Sequence, residues 1–183
     1  MKSFLALVLC LLQLSLCGCM QAGLHATDAT TESTEAIPTR ESKVKLEFFL
    51  EGMAEYQDAT LFVGSGYSLY ITDDGWLETP GENGKMIWQC SYNPDISFAV
   101  IPCAGADLAQ ARAALLGEYT LLEEDGEYAC GSDDNGLFYR AVRLIETPDG
   151  ILAAVWNYSL EAAEGFGVRL RVLADTLMAD ARP

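Results

Sequence analysis

The chain has 183 residues, half of them hydrophobic, with 27 acidic residues against 11 basic ones and a formal net charge of −16. That balance sets nucleic acid aside as a partner, because holding phosphate needs clustered Lys and Arg, and it disfavours direct adhesion to anionic headgroups. The single histidine, His25, falls in a polar stretch near the start, so Ser-His-Asp and Cys-His nucleophile arrangements and His-ligated zinc have no basis in the remainder.

Lys2 is followed by an apolar run from Phe4 to Leu16, broken only by Gln13 and Ser15. The run suits a signal-peptide core and is shorter than the roughly 20 residues that cross a bilayer. It ends in Leu16-Cys17-Gly18-Cys19. Those residues resemble the lipobox of bacterial lipoproteins, with Cys17 standing where Ala or Ser is usual. The resemblance implies that residues 1–18 are a removable lipoprotein signal peptide and that the thiol of Cys19 carries a diacylglycerol. The chain after it then lies on the extracytoplasmic face of the cell membrane, anchored by buried methylenes at about 0.8 kcal/mol each. A plain secretory signal with incidental cysteines is the simpler alternative. Residues 19–40 form the lipidated Cys and a disordered tether, rich in Ala, Thr, Ser and Glu around "TDATTESTEA" and without apolar periodicity. Fully extended, the tether reaches up to about 70 Å. His25 sits in it as a solvated side chain.

Residues 41–183 have the size of one domain, long enough to bury a core without covalent staples. No internal repeat is visible. Val44, Leu46, Phe48 and Leu50 alternate as in a strand. Ala59 to Val63 is a second apolar run, Gly64 and Gly66 punctuate, and Tyr67 to Ile71 alternates again. Asp73-Asp74-Gly75 is a turn before Trp76. Met86, Trp88, Cys90 and Tyr92 share a face, and Asn93-Pro94-Asp95 turns the chain into Ile96, Phe98 and Val100. The period then changes. Asp107 and Gln110 stand as a capping box for a helix from Leu108, and Gly117 ends it. Further strands follow, joined by Asp133–Gly136 and Thr147–Gly150 turns. Phe166, Leu170, Leu173 and Leu177 return at helical spacing, with Glu161 and Glu164 at the favourable end. Short turns mean antiparallel pairing. The expected class is α+β: an antiparallel sheet with a mid-chain helix and a C-terminal helix packed on it.

From Tyr67 to Ala179 the strand Tyr67–Ile71, the Asp-Asp-Gly-Trp turn, the Thr-Pro-Asp-Gly turn and the closing "EAAEGFGVRLRVLADTL" segment resemble the Mog1p/PsbP-like fold, which includes small lipid-anchored bacterial proteins. Thr72 departs from the Pro often found there. The resemblance implies a non-enzymatic accessory or assembly protein.

Chemistry-bearing groups are sparse. No Gly-rich loop leads to Lys-Ser or Lys-Thr, and Gly64-Ser65-Gly66 is a turn. Carboxylates cluster in turns (Asp73 with Asp74, Glu123 to Asp125, Asp133 with Asp134), where backbone geometry favours Asp. Asp133, Asp134 and Asn135 offer oxygen to calcium, but their spacing suits a hairpin turn better. No metal and no cofactor is expected. Cys90 reads as a buried small hydrophobe, whereas Cys103 and Cys130, at strand ends, are the disulfide candidates. Trp76, beside Asp73 and Asp74, is either core or an aromatic for a glycan or protein. Arg140 and Arg143 are scarce cations whose ordinary role is cross-strand pairing with acids. The reading is a non-catalytic, lipid-anchored binding protein of the bacterial envelope. Its contacts are the membrane through Cys19 and an unidentified envelope protein or surface polymer. The alternative is a carboxylate-dependent hydrolase of cell-wall or dietary polymers.

Overall fold

The computed structural model describes residues 40–73 and 75–180. Residues 1–39, which include Cys19 and His25, and Asp74 and residues 181–183 lie outside the described residues; Arg40, expected as the last tether residue, instead packs over Tyr70 and donates to the Ser68 hydroxyl at 3.0 Å. Strands β1 (Lys43–Leu50), β2 (Met53–Val63), β3 (Tyr67–Thr72), β4 (Trp76–Pro80), β5 (Met86–Cys90) and β6 (Ser97–Ala104) precede helix α1 (Leu108–Leu116). Strands β7 (Thr120–Asp125), β8 (Tyr128–Ser132), β9 (Phe138–Thr147) and β10 (Gly150–Ser159) follow. A 3-10 turn at Leu160–Ala162 and a π turn at Ala163–Gly167 lead into α2 (Val168–Asp175) and the short β11 (Met178–Ala179).

The class is α+β, and the strands divide into two antiparallel sheets: four in the order β1-β2-β3-β11, and seven in the order β4-β5-β6-β10-β9-β8-β7. The β1–β2 hairpin closes through Glu51 and Gly52, both at positive φ (50° and 80°), the geometry whose twist matches paired strands. The β9–β10 turn ends at Gly150, with φ 132° and space for no side chain: a Cβ there would lie 2.4 Å from the Cys103 carbonyl.

The centre of the seven-stranded sheet is buried on both sides, which is why β10 reads almost continuously apolar rather than alternating, while the edge strands β4 and β7 stay exposed. One face carries Trp88, Phe98, Trp156 and Ala141 in register across β5, β6, β10 and β9. Leu170, Leu173 and Leu177 belong to the same core. Phe62 of β2 stands edge-on to Trp88 at 5.0 Å and joins the two sheets. The other face carries Val142, Leu144, Ile151, Ala153 and Val155 beneath Ala111 and Leu116 of α1. Each fully buried large side chain here contributes about 1.5–3 kcal/mol. Strand β3 is buried along its whole length, as a strand covered on both faces must be.

The helices keep their sequence signals with one exception. Asp107 accepts from the Gln110 N–H at 2.8 Å and the Gln110 side chain returns the contact. The closing helix, expected to run on through Leu177, stops at Asp175. The Thr176 hydroxyl donates to the Leu173 carbonyl at 2.7 Å and accepts the Tyr70 N–H at 2.9 Å. That bridge turns the chain into β3's neighbour, so Met178 and Ala179 pair with Ser68 and Tyr67.

Urea unfolding should show Asp107→Ala costing about 1 kcal/mol, the usual worth of an N-cap. Gly150→Ala should cost at least about 2 kcal/mol, because strain at φ 132° adds to overlap with backbone.

Candidate functional site

Trp76 opens β4 immediately after the Asp73–Gly75 turn. Its indole N–H donates to the Thr72 hydroxyl at 3.0 Å, which fixes the ring half-buried against the core. Around it lies a recess of about 50 Å³, walled by Phe48, Trp76, Tyr92, Phe166, Gln57 and Arg169. Tyr92, from the β5–β6 connection, is 68% exposed. Its ring lies 6.2 Å from that of Phe166 in the π turn. The bare Cα of Gly75 allows that approach, since a Cβ would sit 2.5 Å from the Tyr92 ring.

The polar groups of the recess form a chain. Arg169 donates to Glu55 at 2.7 Å and the Gln57 amide donates to the same carboxylate at 2.9 Å. Gln57 first, then Arg169, holds the Glu55 carboxyl below its ordinary pKa. The Arg169 guanidinium carbon is 5.7 Å from the Phe166 ring, and its Nε is buried without a hydrogen-bond partner. The recess therefore offers stacking surfaces and the amide and guanidinium of Gln57 and Arg169, which Glu55 ties from outside its walls. At about 50 Å³ it is a shallow surface for contact with a ring face or a side chain, not an enclosing ligand cavity. Sequence reasoning found Trp76 only. By spacing alone Tyr92 falls in phase with Trp88 and Cys90, and Phe166 falls in line with Leu170 and Leu173 of the closing helix.

The other residues expected to share this surface do not join it. Asp73 faces away, bonded to the Thr60 hydroxyl and to Lys43 at 3.3 Å. Its carboxyl is held low chiefly by Thr60. Asp74 lies outside the described residues. Arg140 and Arg143 are three apart on β9 and so project from opposite faces. Arg140 does not pair with an acid among its hydrogen bonds. Its cross-strand neighbour is Asn157, whose amide oxygen accepts from Nε at 2.8 Å, while Nη1 reaches the Leu115 carbonyl and the Tyr119 ring lies 4.6 Å away. Arg143 pairs with Glu127 at 3.0 Å. Its Nη1 also donates to the carbonyls of Ala174, Asp175 and Leu177, at 2.8, 3.3 and 3.3 Å. A strand residue thereby caps the C-terminal end of α2.

The expected Cys103–Cys130 disulfide is corrected by topology. Both thiols are free. They sit on β6 and β8 with β10 and β9 between them, about 14 Å apart by strand spacing, and they pack into different cores on opposite faces. A disulfide needs Cα atoms within about 7 Å. Burial pushes both thiols above their ordinary pKa, which works against thiolate chemistry. Cys90 is buried in the core.

The Asp133 carboxylate accepts the N–H groups of Leu137 and Phe138 at 2.8 and 3.0 Å. It closes its turn rather than facing a cation, and those backbone bonds, Phe138 first, lower its pKa. Among the described residues no group of three or more His, Cys, Asp or Glu is arranged to hold a metal ion. A larger groove of about 420 Å³ lies at the other end of β3, with Ser65, Cys103, Thr147 and Asp180 on its walls. It is lined by the ends of β6, β9, β10 and β11 and the turns beside them, and no aromatic, Lys or Arg residue is among its walls.

No family model and no curated protein matches this chain. Among solved structures it is similar to the cyanobacterial PsbP protein (CyanoP) of Synechocystis, at 11% identity and a TM-score of 0.42, over 62% of this chain and 86% of that one. It is also similar to a crystal structure from Bacteroides thetaiotaomicron, at 12% identity and a TM-score of 0.41, over 64% of this chain and 46% of that one. This chain thus spans less than half of the Bacteroides protein. Both likenesses are remote and carry nothing about activity.

Arg143→Met should lower stability by about 2–3 kcal/mol in urea unfolding, because it strips three carbonyls and Glu127 of their shared partner. Acid titration gives a second check. Glu55, Asp73 and Asp133 all have folded pKa values below their ordinary ones, so at low pH the unfolded chain binds more protons. Their contribution is complete above the ordinary carboxyl range and should fade as pH falls through the lowered folded values. Circular dichroism should show this loss, blunted in Asp133→Asn.

Proposed function

We propose that the domain is a non-catalytic binding module of the bacterial cell envelope, held at the extracytoplasmic face of the membrane by lipid on Cys19. It seats an envelope protein or surface polymer against the Trp76–Tyr92–Phe166 recess. The observation that carries this reading is the convergence of three aromatic rings from separate elements on one hollow, with Tyr92 68% exposed. Rings that face solvent beside charged donors recognise sugar faces or apolar side chains and bring little rotamer entropy to the contact. The Arg169 Nε, buried and without a partner, is a donor that a ligand oxygen can satisfy.

The carboxylates support binding over hydrolysis. A glycosidase needs one acid whose pKa is raised so that it can protonate the leaving group. Glu55, Asp73 and Asp133 shift the other way. Glu124 and Glu127 are engaged by Arg112 and Arg143.

In-cell crosslinking and pull-down of the full chain should recover one envelope protein or wall polymer repeatedly. Tyr92→Ala should reduce that recovery about tenfold, as loss of an aromatic anchor does, with stability changed by less than about 1 kcal/mol. Cys19→Ala should move the chain from the membrane to the soluble fraction and abolish its lipid mass. Recovery unchanged in Tyr92→Ala would remove the recess from the binding surface, and unchanged fractionation of Cys19→Ala would remove the anchor.

A further inference from the structure

Strand β1 forms one edge of the four-stranded sheet. It runs for eight residues without proline, glycine or a register shift. Natural edges of that kind are usually short, bulged or covered, because their unpaired N–H and C=O groups are a template for another strand. Parity shows which groups are free. Leu50 and Met53 close a two-residue turn, so the even-numbered residues of β1 exchange hydrogen bonds with β2. The Leu61 N–H bond to the Ser42 carbonyl at 2.9 Å continues that pattern. The backbone groups of Lys43, Lys45, Glu47 and Phe49 therefore point away from the sheet.

The side chains of those residues share one face. Lys45 is bonded to Asp58 at 2.8 Å and Glu47 to the Tyr56 hydroxyl at 2.7 Å, both exposed, and Phe49 is 65% exposed. A second copy of β1, laid antiparallel along this edge, must match odd residues to odd residues, so the two-fold axis passes through a residue. An axis at Lys45 sets that lysine against itself, and an axis at Glu47 does the same with a carboxylate. An axis at Leu46 sets Lys45 against Glu47 of the second copy, twice, and lays the stem of Lys43 along Phe49, twice. On the other face Val44 meets Phe48 and Leu46 meets itself. Axes further out overlap fewer residues.

We propose that β1 is a homodimerisation edge whose two-fold axis passes through Leu46, joining the four-stranded sheets of two copies into one continuous sheet. The occupant is a second copy because backbone parity, face and charge are satisfied together by one register of the strand with itself. The contact is isologous and closes at two copies. Lysines that would otherwise guard the edge select the register instead, by facing Glu47. The acidity of the chain, −16 overall, opposes close approach, so the association is weak and is helped by moderate salt. It stands independently of Cys19 and of the aromatic recess.

Sedimentation equilibrium of the full chain in mild detergent tests this. The wild type should show a reversible equilibrium between the mass of one processed chain and twice that mass. Lys45→Glu alone and Glu47→Lys alone each bring like charges together in both symmetric pairs, and each should weaken association about tenfold. The double variant K45E/E47K restores unlike pairs between copies and should return to within about threefold of wild type. The clash of the new carboxylate with Asp58 persists in the double variant, so recovery cannot come from repair within one chain. Leu46→Cys should also give an oxidised dimer, since residues facing across a non-hydrogen-bonded pair lie about 4.5 Å apart. Val44→Cys, whose partner is Phe48, should not. A wild type that stays monomeric to about 1 mM, single variants that associate like wild type, a double variant that fails to recover, or equal crosslinking by both cysteine variants would each overturn the pairing.

Discussion

The row Trp88, Phe98, Trp156 and Ala141 is the surface on which this domain is assembled. Antiparallel register brings these residues side by side across β5, β6, β10 and β9, and none of them can be left facing water. The four-stranded sheet reaches the row through Phe62, and α2 contributes Leu170 and Leu173 to the same core. Once that side is closed, the reverse side of the long sheet still carries Val142, Leu144 and Val155, which fixes the need for α1. Two-sided burial of the long sheet's centre thus accounts for the layers on either side of it and for the apolar character of β10.

A chain this acidic has few cations, and the domain uses its arginines as internal ties. Arg112 holds Glu124, Arg143 holds Glu127 and the end of α2, and Arg169 holds Glu55. Arg40 lies over the Tyr70 ring and Arg171 over the Tyr128 ring, each at 4.3 Å. A delocalised cation on a long apolar stem suits this work, because it satisfies several acceptors while its stem covers hydrophobic surface. Surface charge is then left overwhelmingly negative. The cations still facing solvent include Lys43 and Lys45 on the outer edge strand.

The aromatic recess and the β1 edge lie on the same part of the molecule, since Phe48 of β1 forms one wall of the recess. Its even-numbered residues turn toward the recess and the core, while its odd-numbered backbone groups remain open. Strand alternation lets one segment serve a hollow and an edge without either excluding the other.

Local rules were legible in the chain. The Asp107–Gln110 capping box, the Thr147–Gly150 and Asp133–Gly136 turns, and the alternation of Val44 to Leu50 each depend on residues a few positions apart, and each appears where its spacing requires. The main strands and helices, antiparallel pairing and the α+β class follow from the order of residues alone, because backbone conformation and hydrophobic period are short-range properties. Tertiary structure decided the rest. It separated Cys103 from Cys130 by putting two strands and a change of face between them. It stopped the closing helix at Thr176 because the Tyr70 N–H, more than a hundred residues earlier, supplied a competing bond. It turned Arg143 into a helix cap, and it gathered Tyr92 and Phe166 beside Trp76. These outcomes depend on which distant surfaces meet, and one-dimensional spacing carries no record of that.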